Sequence, residues 1–148
     1  MMTRSLAKYL ALPIASAALA AGGCRVLGSV DVDVFAWEGD LVAIAGDAPG
    51  GSVAALSQNG RTIASIRITD GPMGEHVFDW RIRAGSCASP GSALGGAATY
   101  PAIEHSAPGN SSAETVLGDT MPDSRSYHAV LIRSADGTEV ACGDFRRV

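Results

Sequence analysis

Short runs of alternating apolar and polar residues, interrupted by glycine, proline and asparagine, constrain this chain more than any other feature. Val30, Val32 and Val34 alternate with Asp31, Asp33 and Phe35. Ala64, Ile66 and Ile68 alternate with Ser65 and Arg67, and His76, Phe78, Trp80 and Ile82 with Val77, Asp79, Arg81 and Arg83. Near the end, His128, Val130 and Ile132 fall on one face, and Tyr127, Leu131 and Arg133 on the other. Successive side chains of a β-strand point to opposite faces, so each run can bury one side and wet the other. Beyond the first two dozen residues no stretch keeps a long 3.6-residue apolar period, which argues against extended helices. Turn sequences separate the runs: Glu38-Gly39-Asp40, Ala48-Pro49-Gly50-Gly51, Gln58-Asn59-Gly60, Asp70-Gly71-Pro72 and Asp136-Gly137. Many short strands joined by glycine-rich turns define an all-β, antiparallel sandwich or barrel. The clearest hairpin joins 52–57 to 61–69 through Asn59-Gly60, because Asn-Gly tolerates the positive φ of a tight turn. Residues 84–112, rich in Gly, Ala, Ser and Pro, read as one long loop.

The first residues have the pattern of an export signal. Arg4 and Lys8 supply the basic start, Tyr9 to Ala21 the apolar stretch, and Ala20, Ala21, Gly22 and Gly23 the small residues before a cleavage site. The stretch is shorter than the roughly 20 residues of a spanning helix. Cys24 follows directly, as in a bacterial lipoprotein box, although Ala21 stands where that box usually has Leu. Ordinary cleavage near Ala18-Leu19-Ala20 is the competing reading. The expectation is a signal over 1–23, a single β domain over 24–148, and a lipid anchor at Cys24 that holds the protein to a membrane of the bacterial cell envelope or periplasm. An exported chain with three cysteines has one left over, and lipidation at Cys24 accounts for it.

Loss of Arg4 and Lys8 with the signal takes the formal charge from −4 to −6, and every remaining basic residue is arginine. That balance argues against a nucleic-acid partner, which needs a basic patch or stripe. The glycine-rich stretches lack a Gly-Lys-Ser/Thr ending, so they read as turns rather than phosphate loops. No nucleophile elbow is present. His76, His105 and His128 are the only histidines, and their spacing matches no common ligand set. Cys87 and Cys142 in an exported domain of this size suggest a structural bridge, with two buried thiols as the alternative.

Two segments carry a family resemblance. One runs from His76 through Trp80, Arg81 and Arg83 to Gly85-Ser86-Cys87. The other runs from Tyr127 to Arg133, then to Ala141-Cys142-Gly143. Together they resemble the signature regions of the copper/zinc superoxide dismutase superfamily, over roughly residues 51–144. The resemblance implies a Greek-key antiparallel β-sandwich or barrel with one long loop, and a disulfide from the Gly-x-Cys loop to the Ala-Cys-Gly strand, Cys87 to Cys142. It places Arg81, Arg83 and Arg133 where the family holds three copper histidines; a register shifted by one would put Trp80 and Ile82 there instead. Tyr100 is the best match to the bridging histidine. The zinc loop would need several histidines, and 102–114 offers only His105 with Glu104. No arginine stands in Thr138-Glu139-Val140, where the family has an anion-guiding one.

Copper requires a neutral imidazole donor, and a guanidinium stays protonated with no lone pair to give. The resemblance therefore implies the fold together with loss of the copper and zinc ligands. Arg81, Arg83 and Arg133 are left as a cluster that either pairs with acids such as Asp79, Glu104 or Glu139, or binds a small anion through paired guanidinium forks. The expected role is non-catalytic binding or structure, with an envelope protein, a small anion or a second copy as partner. The rival expectation is a divergent superoxide dismutase or copper-binding protein acting in superoxide detoxification.

Overall fold

A computed structural model describes residues 33–148. It is all-β and antiparallel. The strands are β1 (Val34–Ala43), β2 (Gly51–Gln58), β3 (Arg61–Ile68), β4 (Gly74–Ser86), β5 (Ser89–Ala93), β6 (Ile103–Ala107), β7 (Ser111–Leu117), β8 (Tyr127–Arg133), β9 (Thr138–Asp144) and β10 (Arg146–Arg147). One 3₁₀ turn, Ala97–Thr99, is the helical element among the described residues. The early run of valines is described only from Val34, where β1 begins; Val30 and Val32 lie outside the described residues, as do Cys24 and the whole expected signal.

Pairing builds one sheet curled into two facing layers. The first layer runs β10-β1-β2-β3-β7 and the second β1-β9-β8-β4, with β4's outer edge shared by β5 and β6. β1 belongs to both layers, since Val34 to Leu41 pair with β2 and Val42 and Ala43 pair with β9. At this crossing the backbones come close: a Cβ on Gly39 would lie 2.6 Å from the Asp144 carbonyl oxygen, and one on Gly143 2.6 Å from that of Asp40. On the opposite flank β6 pairs with β4, and the strand after it, β7, pairs with β3, so the chain steps from layer to layer there too.

The alternation in the sequence sets the two faces. Trp37, Leu41, Val53, Ala55, Ala64, Ile66, Ile68 and Leu117 of the first layer meet Phe78, Trp80, Ile82, Ala129 and Leu131 of the second in one buried core. Each large side chain removed from water there contributes on the order of 1.5–3 kcal/mol before conformational entropy is subtracted. The expected hairpin forms with eight residue pairs from Gly51–Ile68 to Gln58–Arg61. Asn59 and Gly60 take φ of 53° and 76°, the doubly left-handed turn that suits the strands' twist. The buried hydroxyls of Ser57 and Thr62 and the indole of Trp37 are tied as well. Thr62 Oγ1 donates to the Asp119 carbonyl, the Met121 N–H donates to Ser57 Oγ, and Trp37 Nε1 donates to the Met121 carbonyl, pinning the β7–β8 crossover.

The long loop expected over 84–112 is corrected by the structure. That segment contains the end of β4, then β5, the 3₁₀ turn and β6, and the start of β7. β5 is Ser-Pro-Gly-Ser-Ala with every residue exposed, so no hydrophobic alternation marks it. Its ladder is backbone pairing to β4 at a sheet edge, where proline's missing N–H is harmless. In β6 only Ile103 and His105 turn inward, too few to make a pattern.

Candidate functional site

On β4, Phe78, Trp80 and Ile82 face the core, so Asp79, Arg81 and Arg83 face outward. The register places Arg81 opposite Val130 and Arg83 opposite His128 on β8, with Cys142 and Asp144 opposite those two on β9. The outward surface of the second layer is thus a patch of Arg81, Arg83, His128, Val130, Cys142 and Asp144. Unlike most sheet faces turned outward it is largely closed, since His128 and Val130 are each 1% exposed.

Two devices close it. Arg83 forms an ion pair with Glu139, Nη1 to Oε1 2.7 Å. β8 lies between β4 and β9, so this pair must reach across the outward side chains of β8, and the arginine stem covers apolar surface there. The second device is the disulfide from Cys87, in the β4–β5 turn, to Cys142 on β9, across 55 residues of chain. The Cys87 N–H donates to Asp144 Oδ1 at 2.7 Å, which fastens the same turn beside the bridge.

Arg133 does not join this patch. It stands opposite Phe78, on the alternate face at the far end of β8, and pairs with Asp136 in the following turn, Nη1 to Oδ2 3.1 Å. Asp136 also accepts the Thr138 N–H, and that bond, with those from the Thr138 and Arg133 side chains, holds its carboxyl below the usual range. The three arginines are therefore two outward neighbours and one turn residue. The alternation of β8 puts Arg133 with Tyr127 and Leu131; only the family alignment groups it with Arg81 and Arg83.

Tyr100 is a packing residue. Its ring meets Trp80 edge-on, centroids 5.0 Å apart. Its hydroxyl accepts the Ile82 N–H and donates to the Leu94 carbonyl, filling the gap between β5 and β6 along the edge of β4. Burial pushes its phenol pKa up, partly opposed by the Ile82 hydrogen bond.

The sequence pattern assigns His105 to a loop, but it is a buried residue of β6, directly opposite His76 on β4. Its Nδ1 lies 3.0 Å from Ser111 Oγ. Its Nε2 has no partner and faces Gly71, where a Cβ would come within 3.0 Å. The His76 Nε2 is occupied by the Met73 carbonyl at 3.2 Å. His128 is buried on the other face of its sheet, with Nδ1 unpartnered. Among the described residues no three His, Cys, Asp or Glu side chains converge to hold a metal ion. The donor set on the outward face of β4 and β8 is guanidinium with a single imidazole, which does not fit copper or zinc.

In the comparisons with known proteins, no family model, no curated protein and no solved structure matches this chain.

Proposed function

We propose that this chain is a disulfide-stapled domain of the copper/zinc superoxide dismutase type that lacks the metal ligands and serves a non-catalytic binding or structural role. In this reading it is exported to the bacterial cell envelope and anchored through a lipid on Cys24. The observation that carries the reading is the outward face of β4 and β8. A copper site of the family would need imidazoles there. Arg81 and Arg83 stand in that position, and Arg83 is committed to Glu139 across the sheet. The Greek-key assignment draws support from β1's membership of both layers, from the repeated crossings between layers at β3–β4, β6–β7 and β7–β8, and from the bridge linking the turn after β4 to β9.

Reconstitution of the oxidised protein with copper and zinc, followed by metal analysis and a superoxide dismutation assay on the same sample, tests the reading. The expected result is folded protein with substoichiometric metal and no dismutation. Stoichiometric metal with activity would make it a divergent superoxide dismutase instead. One observation favours a second role for the same patch. Arg81 has no ion-pair partner among the described residues, so it can offer its fork to a small carboxylate or phosphate beside Arg83. Titration with millimolar phosphate or citrate, followed by thermal shift, checks this. A midpoint that does not move, or that moves equally in an Arg81→Gln variant, removes the anion role.

A further inference from the structure

The Arg83–Glu139 pair on the outward face of the second layer is unlike the other ion pairs among the described residues. Arg133 with Asp136, Arg146 with Asp40 and Arg147 with Asp123 are each ion pair and hydrogen bond at once. Between Arg83 and Glu139 the Nη1–Oε1 contact at 2.7 Å is one of charge alone. The register also makes this pair a long one. Directly opposed residues form three rungs on the face: Asp79, Ile132 and Glu139; Arg81, Val130 and Cys142; Arg83, His128 and Asp144. Arg83 stands on the third rung and Glu139 on the first, so the pair spans the rung of Arg81. The acid on Arg83's own rung, Asp144, is engaged elsewhere, since its Oδ1 accepts the Cys87 N–H. Asp79, two residues from Arg81, makes no ion pair with it among the described residues.

We propose that Glu139 is an internal competitor for an anion site: its carboxylate occupies Arg83 until a small dianion displaces it and spans Arg81 and Arg83. The inference rests on the reading of those two arginines as an anion site, and it adds the ligand's class and the site's regulation. Alternate residues of a strand lie about 7 Å apart on one face, a spacing at which two guanidinium forks close on one dicarboxylate or phosphate. Glu139 is tied to the site by the chain, which gives it a high effective concentration. A monocarboxylate offers one charge in exchange for one and has its own freedom to lose, so Glu139 wins. A dianion adds a contact to Arg81, which Glu139 does not make. Displacement costs little, because the Glu139 side chain is 41% exposed and returns to water. The charges of the face set the same threshold. With Glu139 in place, Asp79, Glu139 and Asp144 outnumber Arg81 and Arg83; once it swings out, acids and bases balance.

Isothermal titration of the oxidised full chain with acetate, succinate and inorganic phosphate, at mildly alkaline pH and constant ionic strength, tests the proposal. The expected result is binding of a dianion without binding of acetate, and the tighter of succinate and phosphate identifies the ligand's chemistry. Glu139→Gln should tighten dianion binding about tenfold and admit acetate. Arg81→Gln should abolish the preference for dianions. Glu114→Gln removes an equal charge from an exposed position on the first layer and should leave the affinities unchanged. A dianion bound equally by the wild-type chain and by Glu139→Gln overturns the competitor and leaves the anion site standing. So does a Glu114→Gln variant that gains as much as Glu139→Gln, or acetate bound by the wild-type chain as tightly as succinate. Binding of no anion by either the wild-type chain or Glu139→Gln overturns the proposal together with the anion reading.

Discussion

The two outward faces of this domain are made of the same material and treated differently. Both carry aliphatic residues at the centre and arginines nearby. On the second layer Val130 and Ile132 are closed off by the Arg83–Glu139 pair and by the turn that the Cys87–Cys142 bridge holds down. On the first layer Leu56, Ile63 and Val116 have no such cover among the described residues and lie open. The difference teaches that outward direction in a sheet does not decide exposure. Exposure is decided by whether a neighbouring segment has been fastened over the face, and here one covalent bond and one long ion pair do the fastening.

The largest expected effect comes from removing that fastening. Replacing Cys87 and Cys142 together by Ala should lower stability by about 4 kcal/mol, the loop-entropy value for a closure of this length, read from urea unfolding. A loss below about 1 kcal/mol would mean the second layer stays covered without the bridge, which would break the comparison.

The same substitution on each face is the next test. Ile132→Ala, at a residue only 8% exposed, should cost about 2–3 kcal/mol. Ile63→Ala, at 45% exposure, should stay within about 0.5 kcal/mol when measured on dilute protein. Equal costs at the two sites would show that the faces are equivalent after all.

Smaller still is the roof itself. Arg83→Ala should cost about 1 kcal/mol, through loss of the stem's cover as much as loss of charge, and Glu139→Gln less than that. Thermal or urea midpoints of the two variants and of the double variant separate the contributions. If Glu139→Gln costs as much as Arg83→Ala, charge rather than cover holds the patch.

The pH dependence is the finest probe. The Tyr100 phenol has a raised pKa in the folded state, so the fold keeps that proton more tightly than the unfolded chain does. Its contribution is complete below the ordinary value of 10.0 and is lost as pH rises through the folded value. Stability should fall at strongly alkaline pH, and Tyr100→Phe should flatten that fall while costing about 1 kcal/mol at neutral pH for the lost hydrogen bonds. Asp136 works in the opposite sense. Its depressed carboxyl lends stability above the ordinary value of 3.8, lost as pH falls through the folded one, and Asp136→Asn should remove that acid-limb dependence. Urea midpoints across pH read both.

Much of the fold was legible because its signals are local. The β2–β3 hairpin follows from Asn59-Gly60 between two alternating runs, and the inward set Phe78, Trp80 and Ile82 follows from period two alone. β5 was not legible, because an exposed edge strand of Ser, Pro, Gly and Ala is held by backbone pairing that leaves no hydrophobic mark. The site was legible in part. Arg81 and Arg83 share the outward face that their spacing requires, and Cys87 meets Cys142. Alignment to the family groups Arg133 with them, against the parity of its own strand, and the structure follows the parity. The opposition of His76 and His105 had no sequence signal, since their strands are separated by β5 and a turn.

By itself the sequence determined the class of this protein: antiparallel strands, their inward faces and the turns between them, because alternation and turn chemistry act within a few residues. Tertiary structure alone decided which outward residues are covered, which arginine meets which acid, and which rung of the first layer stays apolar and open. Those outcomes depend on the register and order of strands far apart in the chain, and on a cross-link spanning 55 residues, none of which a local pattern can encode.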